Sequence, residues 1–167
     1  QLIYQRGKNI VAGGHSFRGI DWRLPNKHTH IIFSFGGGSR LFFNDLRQFG
    51  YMKIVNKESL VKELAKFGLE PLTKEFSFRQ FRKIFNHKKT AIKSLLMNQN
   101  LIAGLGNIYA DEVCFYAKVK PSRRVDSLNE GEIKKLYDGC RVILTKAVKA
   151  RGTTFSDYVD ADGRQGG

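Results

Sequence analysis

Lys88-Lys-Thr-Ala-Ile-Lys-Ser-Leu-Leu-Met-Asn-Gln-Asn-Leu-Ile-Ala-Gly-Leu-Gly-Asn-Ile-Tyr-Ala-Asp-Glu112 reads as a helix, a tight glycine-bearing turn and a second helix. Ile92, Leu95, Leu96 and the Met97/Gln99 end carry helical spacing up to the break. Leu101-Ile-Ala-Gly-Leu-Gly106 is too apolar for an exposed loop, and its two glycines permit backbone angles that other residues avoid. Asn107 is expected at the N-cap of the second helix, which runs on through Ile108, Tyr109, Val113 and Phe115. A helix start of this kind offers free backbone N–H groups beside a side-chain amide, close to Lys88, Lys89 and Lys93. These are the elements of a phosphate grip.

The composition agrees with a polyanionic ligand. Across 167 residues, Lys and Arg number 29 against 15 acids, which gives a net charge of +14 and a pI near 10.0. A surface potential of that sign favours nucleic acid. A hydrophobic content of 41% with 12% aromatics belongs to a globular chain able to bury one good core or two small ones. Cys114 and Cys140 fall on the apolar faces of expected helices, where buried free thiols are the simple reading; two cysteines make neither a disulfide framework nor a zinc site. No apolar run is long enough to span a membrane, and no signal-peptide pattern opens the chain, so a cytoplasmic location is expected. The opening Gln1 and the closing Arg164-Gln-Gly-Gly suggest a piece of a longer protein.

The fold class expected is α+β: the second half of an antiparallel β-sandwich, then an all-α domain. Gln1–Arg6 alternates like a strand, Gly7–Asn26 reads as irregular, and Thr29–Phe35 is β-branched and aromatic throughout. Gly36-Gly-Gly-Ser39 is a hairpin turn into Arg40–Asp45, and Tyr51–Val55 continues the meander as a fourth strand. Asn56 caps a helix that should turn Leu60, Val61, Leu64 and Phe67 inward, ending at Gly68 and Pro71. Phe78, Phe81, Ile84 and Phe85 form one stripe of the next helix, Phe78–His87, with Arg79, Arg82 and Lys83 on the other face. Pro121-Ser122 breaks the chain before a long helix over Leu128–Arg151, and Asp160–Gly167 is a Gly-rich loop. Residues 1–57 are assigned to the sandwich, 58–75 to a helix and connector, and 76–167 to the helical domain.

Four stretches, in order, resemble the formamidopyrimidine-DNA glycosylase family of base-excision repair enzymes. They are Lys27-His-Thr-His30 before a strand, Phe43-Asn-Asp-Leu-Arg-Gln-Phe-Gly50, the connector Gly68-Leu-Glu-Pro-Leu72, and Lys89–Glu112, which resembles the family's helix–two-turns–helix motif almost without interruption. The resemblance implies damaged double-stranded DNA as partner and a bacterial glycosylase/AP lyase that removes oxidised purines such as 8-oxoguanine and formamidopyrimidine. It implies that Asn107 grips the phosphate beside the lesion, that Lys93 helps hold the phosphate or the damaged base, and that Gly106 and Lys89 belong to the same surface. Arg47 resembles the arginine inserted opposite the orphaned base, Phe49 the aromatic wedge, and His28 a further phosphate contact; Arg164 would lie in the loop covering the everted base. Gln48 and Leu46 depart from the family's arginine and proline, which weakens one phosphate contact.

The family's nucleophile, an N-terminal proline amine followed by glutamate, is not in this chain, and neither is its four-cysteine zinc finger. The 167 residues are therefore expected to hold DNA without cutting it, with zinc in a C-terminal finger of the parent and no metal within the chain. Each site residue also has an ordinary reading. Asn107 could be a plain cap, Phe49 a hydrophobic plug between strands, and His28 and His30 surface or core imidazoles. Asp111 and Glu112 point in different directions on a helix, which suits packing better than acid–base chemistry. The alternatives are an endonuclease VIII-like glycosylase for oxidised pyrimidines, or a non-catalytic nucleic-acid-binding protein with the same helical motif.

Overall fold

The computed structural model describes residues 1–15, 23–150, 152, 158 and 159. It divides into two compact units, Gln1–Lys53 with Ala147–Gly167, and Ile54–Lys146. The α+β fold class, an antiparallel sheet followed by a helical part, is as expected.

The first unit is a five-stranded antiparallel sheet. Its strands are β1 (Leu2–Arg6), β2 (Asn9–His15), β3 (Thr29–Ser34), β4 (Arg40–Asn44) and β5 (Tyr158–Val159), in the spatial order β3-β4-β1-β2-β5. The β3–β4 hairpin forms around Gly36–Gly38, with Ser34 opposite Arg40 and Ile32 opposite Phe42. Register sets the faces. Ile3 and Phe42 lie opposite each other and are buried, whereas Leu2, Tyr4, Val11 and Phe33 rise on the other face and stay exposed. That second face is apolar without a covering layer among the described residues, as in one sheet of a sandwich.

Two expectations for this unit fail. Part of the Gly7–Asn26 segment is the strand β2, which pairs with β1 through Tyr4↔Val11 and Gln5↔Ile10. Its short apolar run Ile10-Val11-Ala12 was obscured by Gly13-Gly14, which the ladder accommodates opposite Leu2 at Gly13 and Val159 at Gly14. Conversely, Tyr51–Val55 forms no strand. Strand propensity needs a neighbouring edge to pair with, and this segment finds none.

The second unit is helical: α1 (Lys57–Leu64), α2 (Phe78–Ile84), α3 (Ile92–Leu96), α4 (Asn107–Ala117) and the larger part of α5 (Glu130–Lys149). Caps explain several boundaries. The side chain of Asn56 accepts from Ser59 N at 2.8 Å, and that of Ser77 from Gln80 N at 3.3 Å. A capping box opens α5, in which Asn129 Oδ1 accepts from Glu132 N and Glu132 Oε2 from Asn129 N, both at 2.9 Å. The core gathers Phe76, Phe81, Ile92, Leu96, Val113 and Leu136. Tyr137 stacks on Phe76 at 5.0 Å and donates its hydroxyl to the Phe76 carbonyl at 3.0 Å, so the one polar atom of this aromatic cluster is satisfied. Cys114 and Cys140 are free and buried, as their helical positions indicated, and burial raises both thiols, Cys114 to about 11.

α1 contradicts its expected packing. Leu60, Val61, Leu64 and Phe67 are exposed, and no residue of the helix is buried. Periodicity shows that a helix has an apolar face; it does not supply the surface that covers it.

Candidate nucleic-acid interface

The two helix starts in the Lys88–Glu112 stretch differ in one respect that matters chemically. At α3, the amides of Ile92 and Lys93 donate to the carbonyls of Arg123 (2.9 Å) and Pro121 (3.0 Å), and Val125 N returns a bond to Thr90 O at 3.0 Å. That end is closed by the chain itself. At α4 the cap residue is Gly106, which has no side chain to offer, and the first intrahelical bond is Ala110 N to Gly106 O at 2.9 Å. The amides of Asn107 and Ile108 have no partner among the described residues, so the positive end of an eleven-residue helix is open.

This corrects the expected position of Asn107. It is the first helical residue, not the cap, and its side chain makes no capping bond. Gly106 and Asn107 both suit a cap, and the turn geometry selects the glycine. Gly106 is extended at φ −98°, and a Cβ there would meet nothing within 4 Å, so nothing among the described residues crowds a side chain out of this position. Gly104 alone of the two uses the left-handed region, at φ +84°.

The turn is held by a residue whose importance sequence reasoning missed. Gln99 accepts from Gly104 N at 2.9 Å through Oε1, and its Nε2 donates to the carbonyls of Leu105 (2.7 Å) and Met97 (3.1 Å). One amide thus pairs three backbone groups around a turn whose Ile102 and Leu105 side chains are fully buried. Flanked by Asn98 and Asn100, Gln99 carries no signal that sets it apart in the sequence. Across the turn, Gly68 N donates to Gln99 O, Leu69 N to Leu101 O and Ala103 N to Leu69 O, which ties the connector to the motif like a short strand.

Lys93, Asn107 and Gly106 come together on this side of the unit, with one addition: Lys93 Nζ donates to Asp111 Oδ2 at 2.7 Å. Lys89 is exposed and lies within the field of Asp126. Arg82, counted by its charge among the flanking cations, is bound to Glu130 and to Asn86.

In the other unit, His28, Arg47 and Phe49 are organised by Asp45. The Asp45 carboxylate accepts from Arg47 N at 3.1 Å and Gly50 N at 2.5 Å, while Asp45 N donates to His28 O at 2.9 Å and Asp45 O lies 2.9 Å from His30 Nε2. The Gly50 amide above all holds this carboxyl below its ordinary value, aided by the amides of Arg47 and Gln48. Gln48 takes a left-handed φ of +57° at the tip. Phe49 is 81% exposed, so it plugs no gap between strands, and the Arg47 guanidinium sits 5.7 Å from its ring centroid. Arg164 lies outside the described residues.

An open, lysine-flanked helix start in the helical unit and, in the sheet unit, an exposed arginine and aromatic ring on one loop are the features of the helix–two-turns–helix class. The family model "Formamidopyrimidine-DNA glycosylase H2TH domain" matches residues 67–159, and the chain belongs to that family. The formamidopyrimidine-DNA glycosylase of Heliobacterium modesticaldum is 44% identical over 141 residues, covering 83% of this chain and 51% of that protein. The MutM (Fpg) crystal structure from Thermus thermophilus superposes with a TM-score of 0.74 at 34% identity, over 99% of this chain and 60% of that one. The Lactococcus lactis Fpg in complex with abasic-site DNA gives 0.75 at 30% identity, over 99% and 60%. The chain thus spans about half to three-fifths of the length of the proteins it matches.

Proposed function

We propose that the chain is the strand-holding part of a bifunctional DNA glycosylase/AP lyase that removes oxidised purines from duplex DNA in base-excision repair. The open start of α4, with Asn107 and the Lys93–Asp111 pair beside it, carries this reading. Two free amides at a positive helix end bind one phosphate group of a bent strand, and Gly106 lets that phosphate approach the backbone. In the sheet unit, Arg47 and Phe49 fill the space left when a nucleotide is swung out of the stack, and His28 meets a neighbouring phosphate. Lys89 adds to the field, and Arg164 belongs to the loop that covers the everted base. The protein works as a monomer in the nucleoid-associated cytoplasm.

The reacting amine, an N-terminal proline in this reading, belongs to the part of the relatives' length that residues 1–167 do not span. It attacks C1′ of the lesion nucleotide as the glycosidic bond breaks and the base departs, opening of the sugar's C1′–O4′ bond converts the adduct to an iminium, and that iminium permits elimination of the strand on both sides of the sugar. Zinc belongs to a C-terminal finger in the same reading. The described residues do not fit that ion: none forms a group of three metal-binding side chains, and the two buried thiols are driven away from the thiolate form. No helix among the described residues is long and apolar enough to cross a membrane.

The test is borohydride trapping on the native gene product with a duplex that carries 8-oxoguanine. A covalent protein–DNA adduct is expected, and its absence with an intact N-terminal proline would overturn the lyase reading.

A further inference from the structure

Lys93 does not present a free ammonium. Its Nζ, on a side chain 28% exposed, donates to Asp111 Oδ2 at 2.7 Å, and the Asp111 side chain is 46% exposed. Asp111 stands four residues after Asn107 on α4, so the two side chains rise from one face of that helix. α3 packs against α4 and delivers Lys93 to the same place. The surface beside the open amides therefore reads amide, carboxylate, ammonium. A carboxylate one turn from an anion site opposes the anion, and the cation that could offset it is already engaged.

We propose that Asp111 is a positioning residue for Lys93: it fixes the ammonium beside the α4 start and masks it from phosphates that are out of register. The pair acts as a filter on how the strand is placed, lowering affinity for undistorted duplex more than for duplex bent around a lesion. A phosphate gripped by the α4 amides reaches Lys93 at a geometry where the ammonium bridges it to Asp111. A phosphate elsewhere meets a neutralised pair. The inference rests on the duplex-DNA reading above.

The experiment compares wild type, Asp111→Asn, Lys93→Met and the double variant of the whole chain. Each is titrated by fluorescence anisotropy with an undamaged duplex and with one carrying a tetrahydrofuran abasic analogue, over a range of salt. Asp111→Asn is expected to bind undamaged duplex about threefold to tenfold more tightly, with a log K against log salt slope steeper by roughly one unit, because Lys93 is released to neutralise one phosphate. The damaged-to-undamaged affinity ratio should fall, and Lys93→Met in the same background should return the slope to the wild-type value. An unchanged slope and ratio in Asp111→Asn, with unchanged urea midpoint, would reduce Asp111 to packing and overturn the proposal. An equal gain with and without Lys93 would overturn it too, since the effect would then be general charge. If wild type shows no salt-dependent binding to either duplex, the DNA reading itself falls and takes the proposal with it.

Discussion

Gly68 lies so close to Leu101 that a Cβ built on it would stand 2.1 Å from the Leu101 carbonyl carbon and 2.2 Å from its oxygen. The chain cannot slide away, because Gly68 N donates to Gln99 O at 2.9 Å and Leu69 N to Leu101 O at 3.0 Å. Gly68→Ala must therefore break these bonds or displace the turn. The expected loss exceeds about 3 kcal/mol, beyond the usual range for overpacking, because the obstacle is backbone and not a flexible side chain. Urea unfolding of the whole chain measures it, and a loss under 1 kcal/mol would show that connector and turn are not locked together.

Gln99 gives a prediction with an internal control. Gln99→Ala leaves Gly104 N and the carbonyls of Leu105 and Met97 without their partner, at an expected cost of about 2 kcal/mol. Gln99→Glu retains an acceptor for Gly104 N but sets a carboxylate against two carbonyl oxygens. At pH 7 it should be at least as damaging as alanine. Below about pH 4, where the new carboxyl is protonated and can donate, part of the loss should return. A Glu variant as stable as wild type at pH 7 would mean that the Nε2 bonds contribute nothing.

The loop bearing Arg47 and Phe49 should respond to acid through Asp45. Its folded pKa is depressed below the ordinary 3.8, chiefly by the Gly50 amide, so ordering by the carboxylate is fully present above that ordinary value. It is lost as pH falls through the lower, folded value. Hydrogen exchange at Gly50 N, normalised for its intrinsic pH dependence, should show constant protection from pH 8 to pH 5 and lose it only below about pH 4. Asp45→Asn retains an acceptor without the charge, and its Gly50 protection should be weaker and flat across that range. Equal protection in both proteins at pH 7 would remove the carboxylate as the organiser of the loop.

What was legible in the chain follows the range of the interactions involved. The β3–β4 hairpin, the Asn56 cap and the helix–turn–helix at Lys88–Glu112 rest on neighbours a few residues apart, and each was readable. β2 was hidden because Gly13-Gly14 resembles a loop until its ladder partners are known. Tyr51–Val55 has the residues of a strand but no edge to join, and the face of α1 has the pattern of burial but no cover among the described residues. In the site, residue types pointed to Lys93 and Asn107. The ion pair between Lys93 and Asp111, eighteen positions apart, and the Gln99 bonds to backbone carbonyls leave no local pattern to read.

The placement of Asn107 one residue inside α4 separates two roles that a cap would have combined. As a cap, Asn107→Ala would cost about 1 kcal/mol of stability. As the first helical residue with no side-chain capping bond, it should leave the urea midpoint nearly unchanged, within about 0.5 kcal/mol. Gly106→Ala makes a matching case: φ is −98° and a Cβ would have open space, so the substitution is unstrained, and the preference of an N-cap for glycine over alanine, partly offset by the freedom the unfolded chain loses, should cost less than about 1 kcal/mol. If the α4 start grips a phosphate, both variants should nevertheless weaken binding to an abasic-analogue duplex, about tenfold for Asn107→Ala, a loss near 1.4 kcal/mol. Gly106→Ala should act by placing a methyl between the strand and the open amides. Anisotropy and urea melts on the same preparations read the two effects separately. Lower stability with unchanged binding would return Asn107 to a structural role, whereas unchanged stability with weakened binding ties the open helix end to the nucleic acid.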